Sequence, residues 1–448
     1  MKTPAPPPNP QDMWEKLAGG DPKRLVEVLT AGRVDQDEYL PWDKIRYKAP
    51  PGNLSHEEWW LAIRISRKNA ERTLPLRDVD GKPFTFTLPD EVLRLADLIS
   101  RRASGMIATP EPVANPATRD RYVINSLMEE AITSSQLEGA STSRRDAKQM
   151  IRSGRSPRDR SERMILNNYR AMRHVGLIKD DPFTSERVCE LHSIVTDGTL
   201  DNPDSAGRIQ SSPEPADRVA IYDDEDNILH RPPPVAELPD RLASLCEFAN
   251  ASGPDDRWMP PVLRAITIHF MMGYDHYYED GNGRTARACF YWSMLKQGFW
   301  LTEYLTISKI LKEAPAKYVR SFLHTEQDEG DLTYFFLYHL QVINRALDDL
   351  DVYLARKASE LRNTRLLLSA TPGEYNYRQL AALELAIKDP TSTYTVVSHA
   401  ESHNVSDETA RSDLRDLERR GLLKRDKIGK QFFWSPASNL SQLLQPQP

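Results

Sequence analysis

Three cysteines in 448 residues leave no room for a disulfide framework. Cys189, Cys246 and Cys289 are scattered and odd in number, and no Cys-x-x-Cys pair exists. Reduced, buried thiols in a cytoplasmic protein are the simplest account. A dominant charge of one sign is also missing. Lys and Arg number 59 against 65 Asp and Glu, for a net charge of −6, which is no global signature of nucleic-acid or membrane binding. No apolar run is long enough to span a bilayer, so no membrane partner is expected. The first residues, Met1 to Pro8, lack the apolar core of a secretion signal. What the chain does have is length, enough for two to four domains with ample core.

It also has one dense stretch: His276-Tyr277-Tyr278-Glu279-Asp280-Gly281-Asn282-Gly283-Arg284-Thr285-Ala286-Arg287. Apolar periodicity predicts a helix from Pro261 to His276 and another from Arg284 to Lys296, stopped near Gly298. The stretch is then a tight loop between two buried helices. Gly281 and Gly283 permit turns that a side chain forbids and let a ligand approach closely. A loop feeding a helix N-terminus points free N–H groups at an anion such as phosphate. Arg284 and Arg287 share one face of the first turn, where two cations oppose the helix dipole unless an anion joins them. Asp280 is an oxygen ligand suited to Mg²⁺ shared with phosphates. His276 titrates near neutrality and can take a proton from an attacking hydroxyl. Singly, these elements read as a turn, a core histidine and a solvated ion pair; together, in this order, they point to one site. His269 and His276 lie on one helical face and leave a metal pair open, but no third ligand stands at a suitable spacing.

The twelve residues resemble the signature of the Fic family, His-x-Phe-x-(Asp/Glu)-Gly-Asn-Gly-Arg-x-x-Arg. His276, Asp280, Gly281, Asn282, Gly283, Arg284 and Arg287 match, while Tyr277 replaces the common Pro and Tyr278 the common Phe. Tyr278 can anchor the loop as Phe does if its hydroxyl finds a partner. The resemblance implies a protein adenylyltransferase that moves AMP from ATP, with Mg²⁺, to a Ser, Thr or Tyr hydroxyl of a target protein. His276 would be the general base and Asp280 the metal ligand. Gly281, Asn282 and Gly283 would cradle phosphates, and Arg284 and Arg287 would hold the outer ones. Removal of AMP, or transfer of another phosphate-linked group, stays open on the same fold.

A second segment, Ser134-Ser135-Gln136-Leu137-Glu138-Gly139, is similar to the family's inhibitory pattern, (Ser/Thr)-x-x-x-Glu-(Gly/Asn). It closes a helix over about 120–139, with Gly139 as a natural stop. The resemblance pairs Glu138 with Arg287, blocking that arginine, in a self-inhibited class with an N-terminal inhibitory helix containing Ser134. Val219-Ala220-Ile221-Tyr222 and Ile228-Leu229-His230 read as a hairpin with a polar tip at 223–227. In the family such a flap docks an extended stretch of the target. Tyr318 is assigned to the adenine side.

The expected fold is mainly α: an all-helical Fic fold with a small β-hairpin flap, plus a C-terminal winged helix-turn-helix domain. The expected organisation is a disordered tail (1–12), an N-terminal region (13–89), a Fic domain (90–360), the winged helix (374–436) and a second tail (437–448). Arg152 to Arg163 reads as a solvated basic connector. In the winged part, helices are expected from Tyr377, Tyr394 and Ser406, with strands at Leu422–Arg425 and Gln431–Trp434. Thr409, Arg411, Ser412 and Arg415 would face a major groove. Between Ser406 and Lys430, eight basic residues meet six acidic ones, too small a difference to choose between DNA and a protein partner. A transcription regulator with a Fic sensor is the rival reading, and a homodimer remains open.

Overall fold

A computed structural model describes residues 3–31, 38–105, 116–212, 214, 218–222, 228–251, 258–368, 375–389, 392–428 and 431–443. The flap tip at 223–227, the break at 371–373 and the wing tip at 429–430 lie outside them.

The N-terminal region forms a small core of its own. Helices α1 (Pro10–Ala18), α2 (Pro22–Ala31), α3 (Trp42–Ile45) and α4 (His56–Lys68) enclose Val28, Ile45 and Trp60. Ser55 and Glu58 cap α4 reciprocally. The proline-rich start is not a loose tail. Pro4 is buried, the Ala5 N–H donates to Asp43 Oδ1 at 3.1 Å, and Pro4 O accepts from Gln327 Nε2 at 3.2 Å. A hairpin follows, β1 (Arg72–Arg77) with β2 (Pro83–Phe86).

The body is helical: α5 (Asp90–Ala103), α6 (Pro116–Leu137), α7 (Arg144–Ser153), α8 (Arg160–Leu177) and α9 (Ser185–Thr196) precede a flap, β3 (Ile221–Tyr222) paired with β4 (Ile228–His230). Then come α10 (Leu238–Asn250), α11 (Pro261–Asp275), α12 (Asn282–Lys296), α13 (Ile307–Glu313), α14 (Pro315–Gln327) and α15 (Thr333–Leu368). Helices α11 and α12 pack as an antiparallel pair at the centre and are buried nearly all round, as their apolar sequences require. Helix α6 packs on α8 and α13, which brings its C-terminal end to the start of α12. Two expectations are corrected here. The basic connector is short, because α7 runs to Ser153 and α8 begins at Arg160; it is solvated as expected, but Arg155 and the exposed Arg158 both pair with the buried Glu162. The boundary at 360 falls inside α15, whose hydrogen-bonded ladder continues to Leu368.

The C-terminal unit has a separate core of Leu383, Leu414, Leu417 and Trp434. It consists of α16 (Tyr377–Lys388), α17 (Val396–His403), α18 (Asp407–Arg419) and a regular antiparallel hairpin, β5 (Leu423–Ile428) with β6 (Gln431–Pro436). Tyr394 does not open a helix. It pairs with Trp434 through two 2.8 Å backbone bonds, and Thr395 caps α17. The stretch after Pro436 is no simple tail, since Leu440 is buried in this core. Helix α17 lies against α6 and α7. Val397 Cγ1 would be 3.7 Å from a Cβ placed on Gly154, and Glu401 faces Tyr169 and Arg173 of α8.

Candidate active site

Helix α11 ends at Asp275, and His276 leaves it in the left-handed region (φ 50, ψ 59). A non-glycine residue there costs on the order of 1–3 kcal/mol and persists only where its surroundings fix it. Gly281, at φ 81, turns the chain into α12. The first bond of the α12 ladder runs from Thr285 N to Gly281 O. The N–H groups of Asn282, Gly283 and Arg284 therefore precede the helix's own hydrogen bonding, at its positive end.

The loop is braced from several sides. Tyr278 is fully buried and its ring stacks on His192 at 3.7 Å, while its hydroxyl finds Cys189 Sγ at 3.7 Å. His192 Nδ1 accepts from Gly207 N–H at 2.9 Å, which leaves Nε2 to donate to Asp280 O at 2.9 Å. Burial pushes this imidazole down to about 4, so it braces the loop as a neutral ring. Gln210 bonds Tyr277 O and Tyr278 O, and the Tyr277 hydroxyl donates to Asp275 Oδ2 at 2.6 Å. The Asn282 side chain bonds both the N–H and the carbonyl of Tyr278. The Asn282 amide thus closes the loop, leaving its backbone N–H among those at the start of α12.

His276 is half-buried, and its Nδ1 is buried and turned back toward the Gly273 carbonyl. Burial first, and the Arg218 cation second, push it down to about 4. It is therefore neutral, and free to accept a proton, at physiological pH. Arg284 is fully buried; Nη1 donates to Val195 O at 3.2 Å, and Nη2 lies 3.5 Å from Asp280 Oδ1. Its Nε and Nη2 lack hydrogen bonds among the described residues, and burial lowers its pKa. Asp280 also faces Arg160 Nη2 at 3.2 Å, an exposed contact of small worth.

Arg287 reaches the end of α6. Its Nε donates to Ser134 Oγ at 2.8 Å, and its Nη2 donates to Ser134 O at 3.1 Å and to Glu138 Oε1 at 2.8 Å. The contact uses one carboxylate oxygen rather than a two-pronged fork, because Ser134 occupies the other edge of the guanidinium. Arg287 Nη1 is buried on the side of Tyr318, without a well-formed hydrogen bond among the described residues. Burial opposes the charge, but Glu138 outweighs it and keeps Arg287 above its ordinary range. The Glu138 carboxylate also lies on Gly283, where an added Cβ would overlap its oxygens. Two turns earlier on α6, Glu130 is buried and accepts from the Ser308 N–H at 3.1 Å and from the Ser308 hydroxyl, which anchors α6 to α13.

In the flap, Ile221 pairs with His230 and Tyr222 with Ile228. Val219 and Ala220 are half-buried and unpaired, so the ordered strand is shorter than expected; Tyr222 and Ile228 are exposed. Tyr318 bonds His269 Nε2 at 2.9 Å and senses both Arg287 and Glu138. His269 is thus a buried packing residue, and among the described residues no group of three His, Cys, Asp or Glu side chains forms a metal site. A single half-exposed carboxylate, Asp280, beside free N–H groups and Arg284 does fit Mg²⁺ that takes its remaining ligands from phosphates and water. Sequence reasoning gave no role to Arg218, His192, Gln210 or Arg160, since each reaches the loop from a distant segment.

Residues 182–294 match the family model described as Fic/DOC family. That stretch is a Fic/DOC domain, similar to a family of transferases that move phosphate-linked groups from nucleotide substrates. No curated protein matches it significantly. Among solved structures, a Fic family protein from Desulfovibrio desulfuricans G20 is 16% identical, with 79% of this chain and 98% of that one covered at a TM-score of 0.49. Fic-1 (residues 134–508) from C. elegans is 18% identical, covering 79% and 89% at 0.49. A Fic domain-containing signaling protein from Bacteroides thetaiotaomicron VPI-5482 is 17% identical, covering 60% and 97% at 0.45. No helix among the described residues is long and apolar enough to cross a membrane.

Proposed function

We propose that the domain transfers AMP from Mg²⁺·ATP to a Ser, Thr or Tyr hydroxyl of a target protein, itself included, and that Glu138 restrains it. One observation carries the reading: the site already receives an anion. The Glu138 carboxylate lies on Gly283 and pairs with Arg287 at 2.8 Å, where a triphosphate would be welcomed by the same donors. In the reaction the target oxygen attacks the α-phosphorus, the bond to the β-phosphate oxygen breaks, and pyrophosphate leaves. The hydroxyl proton passes to His276, whose Nε2 is the nitrogen left to take it because Nδ1 is buried. The N–H groups of Asn282 to Arg284 receive phosphate oxygens, with Arg284 and Arg287 neutralising the outer charge. Asp280 would hold Mg²⁺, which when bound supplies charge neutralisation to the phosphates. Val219 to Tyr222 seat an extended stretch of the target, and Tyr318 lines the nucleotide's rim. While Glu138 and Ser134 occupy Arg287, the outermost phosphate lacks its partner.

A second reading rests on Glu138 Oε2, which has no hydrogen-bond partner among the described residues. That oxygen suits positioning a water for AMP removal. For the C-terminal unit we propose a winged helix that meets a nucleic-acid backbone. Exposed Lys424, Arg425 and Lys427 beside exposed Phe432, with Arg415 on α18, are the groups that would meet phosphates, with Lys424 and Arg425 exchanging their pairs with Asp426 and Glu418. The deciding experiment is intact-mass analysis of wild type and Glu138→Gly with Mg²⁺·ATP, together with α-labelled ATP in cell extract. An AMP adduct on the variant or on an extract protein is expected; its absence from both overturns AMP transfer.

A further inference from the structure

Arg218 stands one residue before the flap and is bonded at every side. Its Nε donates to Pro233 O at 2.8 Å, beyond the flap's second strand. Its Nη1 donates to Gln210 Oε1 at 3.1 Å and to His276 O at 2.9 Å, and its Nη2 donates to Asp275 O. The last two are carbonyls at the C-terminal end of α11, which the helix itself cannot satisfy and which a cation suits. His230 makes the second tie, with Nε2 donating to Tyr274 O at 2.7 Å and Nδ1 facing Glu326 Oε2 at 2.7 Å. The flap's two legs and the last turn of α11 are thus joined by one guanidinium and one imidazole. The strained backbone at His276 lies inside that joint.

We infer that Arg218 is a positioning residue: it fixes the His276 backbone in its left-handed conformation and makes the seat of the target strand and the place of the base one mechanical unit. The inference rests on the AMP-transfer reading and deepens it. A target strand laid along β3 arrives at a fixed offset from the base, because the same side chain sets both. Lysine cannot reproduce this arrangement, since it has one donor head where four acceptors diverge.

The test uses full-length Glu138→Gly as parent, with Arg218→Lys and Arg218→Gln added. Both are expected to bind Mg²⁺·ATP within about twofold of the parent and to lose about tenfold or more in kcat for AMP transfer, the scale of a small misplacement at a reacting group. The charged groups facing His276 are Arg218, His230 and Glu138. With Glu138 absent from the parent and His230 unchanged, loss of the Arg218 cation raises the His276 pKa. The acid limb of the rate profile should therefore move to higher pH in Arg218→Gln and stay in place in Arg218→Lys. The His276 ring resonances, followed by NMR, should titrate in the same pattern whether or not transfer occurs. Parent-like kcat in Arg218→Lys overturns the inference, as does a fall in kcat that appears only with loss of ATP binding. If Arg218→Gln does not fold, the Lys variant decides alone. A parent without AMP transfer sinks the proposed reaction instead, and the NMR titration still judges Arg218.

Discussion

The loop after His276 and the C-terminal unit both bury charge, but they treat it in opposite ways. In the C-terminal unit, Asp413 is buried and answered on all sides: by Arg378 at 3.0 Å, by Asn376 at 2.7 Å and by His399 at 3.4 Å. Burial opposes its charge, yet these bonds hold its carboxyl well below the usual range. At the loop, Arg284 Nε and Nη2 and Arg287 Nη1 are buried without a well-formed hydrogen bond among the described residues, Nη2 of Arg284 having only Asp280 at 3.5 Å. A buried charge that is fully answered is part of a scaffold, whereas buried donors left over need a visitor.

Breaking this contrast at the reacting atom has the largest effect. His276→Ala should lower AMP transfer by about 10²–10⁴-fold, the ordinary worth of a general base, measured with α-labelled ATP in the Glu138→Gly background; retained transfer removes His276 from the chemistry. Next is the anion already present. Glu138→Gly should tighten Mg²⁺·ATP binding by about tenfold or more, because one charge-assisted bond to Arg287 no longer competes; calorimetry showing unchanged affinity would count against restraint by Glu138. Asp280→Ala should then abolish the Mg²⁺-dependent part of that affinity and spare the metal-independent part. On the scaffold side, Asp413→Ala should cost about 2 kcal/mol in the stability of the C-terminal unit, by leaving Arg378 unanswered, and leave ATP affinity alone. Thermal melting followed beside ATP titration reads both. Smallest is Lys424→Ala, expected to weaken duplex binding uniformly and to lower the salt slope by about one. A flat salt response in the parent protein would turn the unit toward a protein partner.

The two regions also differ in how far they could be read from sequence. The loop was legible because its parts are neighbours: twelve residues carry base, carboxylate, glycines and arginines in order. The helices on either side followed from apolar periodicity, and the β5–β6 hairpin from alternation across a short turn. What escaped was everything that reaches the loop sideways. Arg218 meets His276 across 58 residues of chain, and His192 meets Asp280 across 88. A lone arginine or histidine in such a place announces nothing, because its worth lies in diverging carbonyls that only the fold brings together. Composition misled at the ends. Pro4 and Ala5 look unstructured by residue type, but Asp43 and Gln327 hold them. Nor did any pattern reveal that α17 would lie across α6 and α7, since that contact depends on how two cores are placed.

The absent side chain at Gly283 has a consequence of its own. Any substituent there would evict the glutamate from its resting place, and under the proposed reaction the same atoms would fill the space where a nucleotide's tail would lie. On that reading, escape from restraint by mutation at position 283 would yield an idle protein. Freedom without loss has to come from the far side, by shifting the end of α6, and the helix that lies across α6 belongs to the C-terminal unit.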